Sequence, residues 1–126
     1  MSKRIWKRII FNVPEAYDFL IENGEVYTIR EAKGNYIKKG KHQVLSNLFH
    51  RIVTYKRILP SYVGLVNVEL EKALIAKPQK TEQELKPYVA KSGFKEIPEW
   101  LSKVKDFKEG KIYHLYHVTE ICFDFP

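Results

Sequence analysis

The chain predicts an α+β fold: a small, mainly antiparallel sheet, strongly curled or closed into a barrel, with flanking helices. Strand-like runs dominate, while the helical patterns fall in two groups, one near the start and one in the second half. Residues 65–74 alternate cleanly, with Val66, Val68 and Leu70 on one face and Asn67, Glu69 and Glu71 on the other. That is the pattern of a half-buried antiparallel strand. At 126 residues, 44% hydrophobic and 29% charged, residues 1–126 read as a single globular domain able to bury a core unaided.

The elements follow in order. Residues 5–13 (IWKRIIFNV) are rich in β-branched and aromatic side chains and read as a strand. Pro14 suits the first position of a helix, with Asn12 or Val13 before it; Ala16, Phe19, Leu20 and Asn23 share a face, and Gly24 closes the helix. Residues 25–30 (EVYTIR) form the next strand, and residues 32–41 a loop punctuated by Gly34 and Gly40. Residues 43–58 carry both helical and strand spacing, and we read them as mostly strand. Pro60 and Gly64 bracket a turn before the alternating strand. Thr81 and Glu84 form a capping-box pattern that starts a helix, and Pro87 interrupts it. Ser92-Gly93 ends this region, and Pro98 opens a further helix with Trp100, Leu101, Val104 and Phe107 on its apolar side. A turn at residues 108–110 precedes a long last strand, residues 112–122.

All of the formal net charge of +7 sits in the first 57 residues, which hold 12 Lys and Arg against 5 Asp and Glu, whereas the remainder holds 10 of each. Between Glu31 and Glu69 there is no acid. A block of one sign makes a directional field that attracts polyanions; the plain alternative is a solvated, solubilising face. The lone Cys122 precludes an intrachain disulfide and fits a reducing compartment. No apolar run is long enough for a membrane helix, so the expected location is cytoplasmic, with nucleic acid as partner and no membrane. The chain carries no glycine-rich phosphate loop, Walker pattern or serine-nucleophile motif, and no cofactor or metal is expected.

Arg30, at a strand end, offers a planar fork of donors suited to phosphate or a base edge. Its structural alternatives are an ion pair with Glu25 or Glu31, or an exposed strand-end arginine. Lys33, Lys38, Lys39 and Lys41 lie in a Gly-bounded loop where several phosphates are within reach, or where they are merely solvated. Arg51, Lys56 and Arg57 flank Tyr55, an arrangement able to track a single strand and stack a base; Tyr55 is otherwise an ordinary core-edge tyrosine. Tyr36 is a further candidate for stacking. His114 and His117 fall on opposite strand faces and do not chelate one metal, and no Cys or carboxylate cluster has ligand spacing. His42 and His50 could support acid–base cleavage of RNA, with an uncommitted surface role as the alternative. Cys122 reads as a packed or edge cysteine. Trp100 reads as core, and Trp6, among Lys3, Arg4, Lys7 and Arg8, as a strand anchor or a contact.

Three segments stand in order: the helix followed by Asn23-Gly24-Glu25-Val26-Tyr27-Thr28-Ile29-Arg30, the run Ser92-Gly93-Phe94-Lys95-Glu96-Ile97-Pro98-Glu99-Trp100-Leu101, and Ile112-Tyr113-His114-Leu115-Tyr116-His117-Val118. Together they resemble the ASCH domain family of the PUA-like superfamily. Val26 stands where the family's turn usually carries a Lys, and the Gly-to-Arg spacing is one residue shorter. The resemblance implies a small PUA-like β-barrel with flanking helices and a cleft for RNA or a nucleotide, with Arg30 at its mouth. Family members are linked to RNA-related regulation, and some to RNA cleavage.

The expected function is therefore a non-catalytic RNA- or nucleotide-binding module using a basic cleft. A metal-independent ribonuclease, and an interaction protein that docks an acidic partner or self-associates, are the alternatives from other classes.

Overall fold

The computed structural model describes residues 8–32, 40–46, 52–54, 57–59, 61–104 and 107–123. Along the chain lie β1 (Arg8–Phe11), α1 (Pro14–Asn23), β2 (Glu25–Glu31), β3 (Gly40–Ser46), β4 (Ile52–Thr54), β5 (Arg57–Leu59) and β6 (Ser61–Ile75). Then follow α2 (Pro78–Leu85), a 3-10 turn (Val89–Lys91), α3 (Ile97–Ser102) and β7 (Ile112–Phe123). Five strands form one sheet in the order β1-β3-β6-β7-β2, and β4 pairs with β5 separately. All ladders of the large sheet are antiparallel except that of β1 with β3. The fold is α+β with a mainly antiparallel sheet and flanking helices. Among the described residues β1 and β2 share no ladder, so hydrogen bonds do not close the sheet. No helix among the described residues is long and apolar enough to cross a membrane.

Each face of the sheet carries its own core. On one face Ala16, Tyr17 and Leu20 of α1 pack on Ile9, Phe11, Val26, Val44, Val66, Val68, Tyr116 and Val118. On the other, Leu85 of α2, Ile97 and Trp100 of α3, and Phe94 pack on Ile29, Leu74, Tyr113 and Leu115. The alternation in β7 sends Tyr116 and Val118 one way and Tyr113 and Leu115 the other, as a period of two requires. In β6 the even-numbered residues change face midway. Val66 and Val68 belong to the α1 side, Leu74 to the α2–α3 side, and the switch falls at the register shift between Leu70 and Lys72. A β-bulge inserts one residue and so inverts the facing beyond it. Leu70, expected to lie with Val66 and Val68, borders this shift and is 40% exposed.

The α1 reading holds in detail: Val13 is the N-cap, Pro14 the first helical residue, and Gly24 the left-handed cap, whose N–H donates to the Leu20 carbonyl at 2.8 Å. Four expectations are corrected. Gly64 is not in a turn but within β6, where a Cβ would stand 2.4 Å from the Cys122 carbonyl oxygen, so the absent side chain permits β7 to close up. Gly40 and Lys41 are strand rather than loop, because β6 offers them Val68 and Asn67 as partners. Thr81 does not start its helix. The helix begins at Pro78, and the buried Thr81 hydroxyl instead accepts the Lys77 N–H at 2.8 Å, capping the end one turn back. Phe107 lies beyond α3, which stops at Ser102, yet it still reaches the core by stacking on Tyr113 with ring centres 4.8 Å apart.

Candidate functional site

A cavity of about 400 Å³ lies where the two outer strands of the sheet approach each other. Its floor is β2 from Thr28 to Glu31. One wall is the end of β1 and the start of α1, through Phe11, Asn12, Val13 and Ala16. The facing wall is Phe94 together with Trp100, Lys103 and Val104 of the α3 segment. Only Trp100 of these stands on α3; Lys103 is the C-cap and Val104 follows it, so the wall is the end of a short helix and the two residues after it. The positive end of the α1 dipole opens on the same space, where Val13 caps the helix through its backbone without a side-chain bond.

Arg30 is the polar centre of this site. Its Nε–H donates to Thr28 Oγ1 at 3.3 Å, and its guanidinium carbon stands 5.2 Å from the centre of the Phe11 ring. Burial lowers the pKa of the guanidinium to about 10, with Tyr116 opposing the drop, so it remains a cation at neutral pH while lacking full hydration. Neither acid that sequence reasoning offered as its partner takes that role. Glu31 pairs with Lys111 at 3.0 Å, and Glu25 pairs with Lys91 at 3.3 Å and His117 at 2.9 Å. Among the described residues Arg30 has no carboxylate partner, and neither does Lys103 on the opposite wall.

The other nominated residues stand as follows. Lys41 is the second residue of β3, opposite Asn67, and Arg57 opens β5, opposite Thr54. Lys33, Tyr36, Lys38, Lys39, His50, Arg51, Tyr55, Lys56 and Trp6 lie outside the described residues. His42 pairs with Val66 in the β3–β6 ladder. His114 and His117 do occupy opposite faces: His114 Nδ1 lies 3.2 Å from the Tyr116 hydroxyl, and His117 stacks on Tyr27 with ring centres 4.5 Å apart. Neither lines the cavity. No group of three His, Cys, Asp or Glu among the described residues is placed to hold a metal ion. Cys122 is exposed and its thiol faces the Phe123 carbonyl.

Sequence reasoning missed the double role of Trp100, Phe94 and Phe11, which are core residues that also form the cavity walls. It also missed Lys103. No local signal marks Lys103, which follows the last helical residue and meets the cavity only because α3 ends beside β2. No protein-family model, curated protein or solved structure matches this chain.

Proposed function

We propose that this chain is a nucleotide- or RNA-binding module that takes one base-sized group, with its attached anion, into the cavity beside Arg30. The observation that carries the reading is a partly desolvated guanidinium, without a carboxylate partner among the described residues, facing a cavity. A half-buried cation gains from an opposite charge, and a bound phosphate would supply one through charge-assisted, bidentate hydrogen bonds. The volume of about 400 Å³ is at the small end of ligand pockets, so it suits a single ring rather than a stacked run. Phe11, Phe94 and Trp100, largely buried in the two cores, make the cavity wall apolar, which suits the body of a base. The charge of +7, concentrated before residue 58, would draw a polyanion towards the domain. The resemblance to ASCH domains supports the same reading, and the bending that carries Phe11 to Arg30 supports a PUA-like, barrel-shaped enclosure.

Fluorescence anisotropy with short single-stranded RNA and DNA, titrated with salt, tests this. The expected result is binding that weakens as salt rises and falls about tenfold or more in Arg30→Ala. Absence of binding at low salt, or equal affinity in Arg30→Ala, overturns it. Labelled RNA incubated with a chelator should stay intact; its cleavage would favour the metal-independent ribonuclease.

A further inference from the structure

The cavity touches four consecutive residues of β2, from Thr28 to Glu31. Successive strand residues face opposite sides of a sheet, so a space that meets all four lies along the strand's edge. β2 is an outer strand, with β7 on its inner side. The hydrogen-bond parity shows what that edge presents. The Glu120 N–H donates to the Gly24 carbonyl at 2.8 Å, and the Ala32 N–H donates to the Ile112 carbonyl at 3.0 Å. The register between these two contacts runs from Glu25 opposite Thr119 to Glu31 opposite Tyr113 without a shift. In an antiparallel ladder the hydrogen-bonded pairs alternate. Even-numbered residues of β2 therefore bond to β7, and the N–H and C=O of odd-numbered residues point outward. Ile29 is the odd-numbered residue in the middle of the cavity floor. Its side chain is buried in the core with Leu115 and Tyr113, which holds its backbone in place, and its N–H and C=O have no partner among the described residues.

From this we infer that the Ile29 main chain reads the hydrogen-bonding edge of a base. The inference rests on the nucleotide reading above and adds the recognition chemistry. The N–H and C=O of one extended residue form a donor beside an acceptor. The complement is a planar ring bearing an adjacent acceptor and donor, as uracil does with O4 and N3–H, and guanine with O6 and N1–H. Arg30, the next residue, turns to the other side of the strand and engages the phosphate. A donor and acceptor in a largely apolar cavity discriminate strongly, because a ligand that cannot pair with both leaves a desolvated polar group behind.

The test uses the full chain, labelled with ¹⁵N, and titrations of uridine and guanosine 5′-monophosphates. Two comparisons accompany them: the same nucleotides methylated at N3 of uracil or N1 of guanine, and ribose 5-phosphate, which has the anion and no base. Expected is a shift of the Ile29 amide resonance with at least one unmodified nucleotide, and affinity lower by about tenfold for its methylated form and for ribose 5-phosphate. If methylated and unmethylated forms bind equally while the Ile29 amide stays unmoved, the base-edge inference is overturned and the Arg30 anion site survives. If no nucleotide, ribose phosphate or RNA binds at low salt, the nucleotide reading falls and takes the inference with it.

Discussion

Phe11 and Arg30 belong to the two outermost strands of one sheet, yet the Arg30 guanidinium carbon lies 5.2 Å from the centre of the Phe11 ring. The sheet has therefore curled until its first and last strands face each other, joined by a cation–π contact where a closed sheet would have a ladder. Such contacts contribute roughly 0.5–2 kcal/mol, depending on desolvation. The unpaired gap between the strands is the cavity, so the same curvature makes the site and supplies its charge.

That arrangement separates stability from binding at Arg30. Arg30→Met keeps the length of the side chain and removes a cation that burial penalises. The midpoint of thermal unfolding should change little, since relief of the desolvated charge offsets loss of the Phe11 and Thr28 contacts, while affinity for the nucleotide or RNA ligand falls about tenfold or more. A variant that both unfolds earlier and binds normally would contradict this assignment. Arg30→Lys should recover little affinity, since a point charge does not reproduce the planar fork.

Gly93 fixes the segment that delivers Phe94 to the cavity wall. Its φ is +92°, and a Cβ there would stand 2.3 Å from the Glu15 carbonyl oxygen of α1. Gly93→Ala should destabilise by about 2–4 kcal/mol, combining strain with a backbone clash. Gly110 has a similar φ of +88° with nothing within 4 Å, so Gly110→Ala isolates the conformational part and should cost only about 1–2 kcal/mol. Chemical denaturation of the two variants gives the comparison; equal losses would remove the packing argument.

Glu25 joins β2 to both β7 and the 3-10 turn. The hydrogen bond from His117, helped by Lys91, holds its carboxyl below the usual value, against the opposing effect of partial burial. A carboxylate with a lowered folded pKa stabilises above its unfolded pKa and loses that contribution as pH falls through the folded value. Glu25→Gln should therefore be less stable than the parent near neutrality, by at most about 1 kcal/mol because the group is partly solvated. The difference should vanish well below pH 4.5. Denaturation midpoints across pH 3–7 would show it as converging curves, and a constant gap would argue against the pair.

Tyr113 is fully buried, and its hydroxyl accepts the Lys108 N–H at 2.9 Å at the turn before β7. Tyr113→Phe preserves the ring and its stacking on Phe107 but leaves that N–H without this acceptor. The expected loss is about 1 kcal/mol, read as a lower denaturant midpoint with an unchanged slope.

Local chemistry made much of this protein legible from its residues. Pro14 and Gly24 delimit α1 because proline and glycine act through their own backbone geometry, and Val66 and Val68 reveal a strand because burial follows a period of two. Arg30 stood out by its chemistry and its place in a strand. What only the tertiary structure decided depends on distant partners. Capture of Glu31 by Lys111 and of Glu25 by His117 and Lys91 leaves Arg30 without a carboxylate partner among the described residues. The bulge in β6 turns Leu74 to the opposite core, a change of face that the sequence marks only by Lys72 in the otherwise apolar even-numbered series. The curl of the sheet sets Phe11 against Arg30 and brings Ile29, on the outer strand β2, to the lining of a cavity. Side-chain type and spacing are written along the chain, whereas the partner of a charge and the direction of a free strand edge emerge only when segments far apart in sequence pack together.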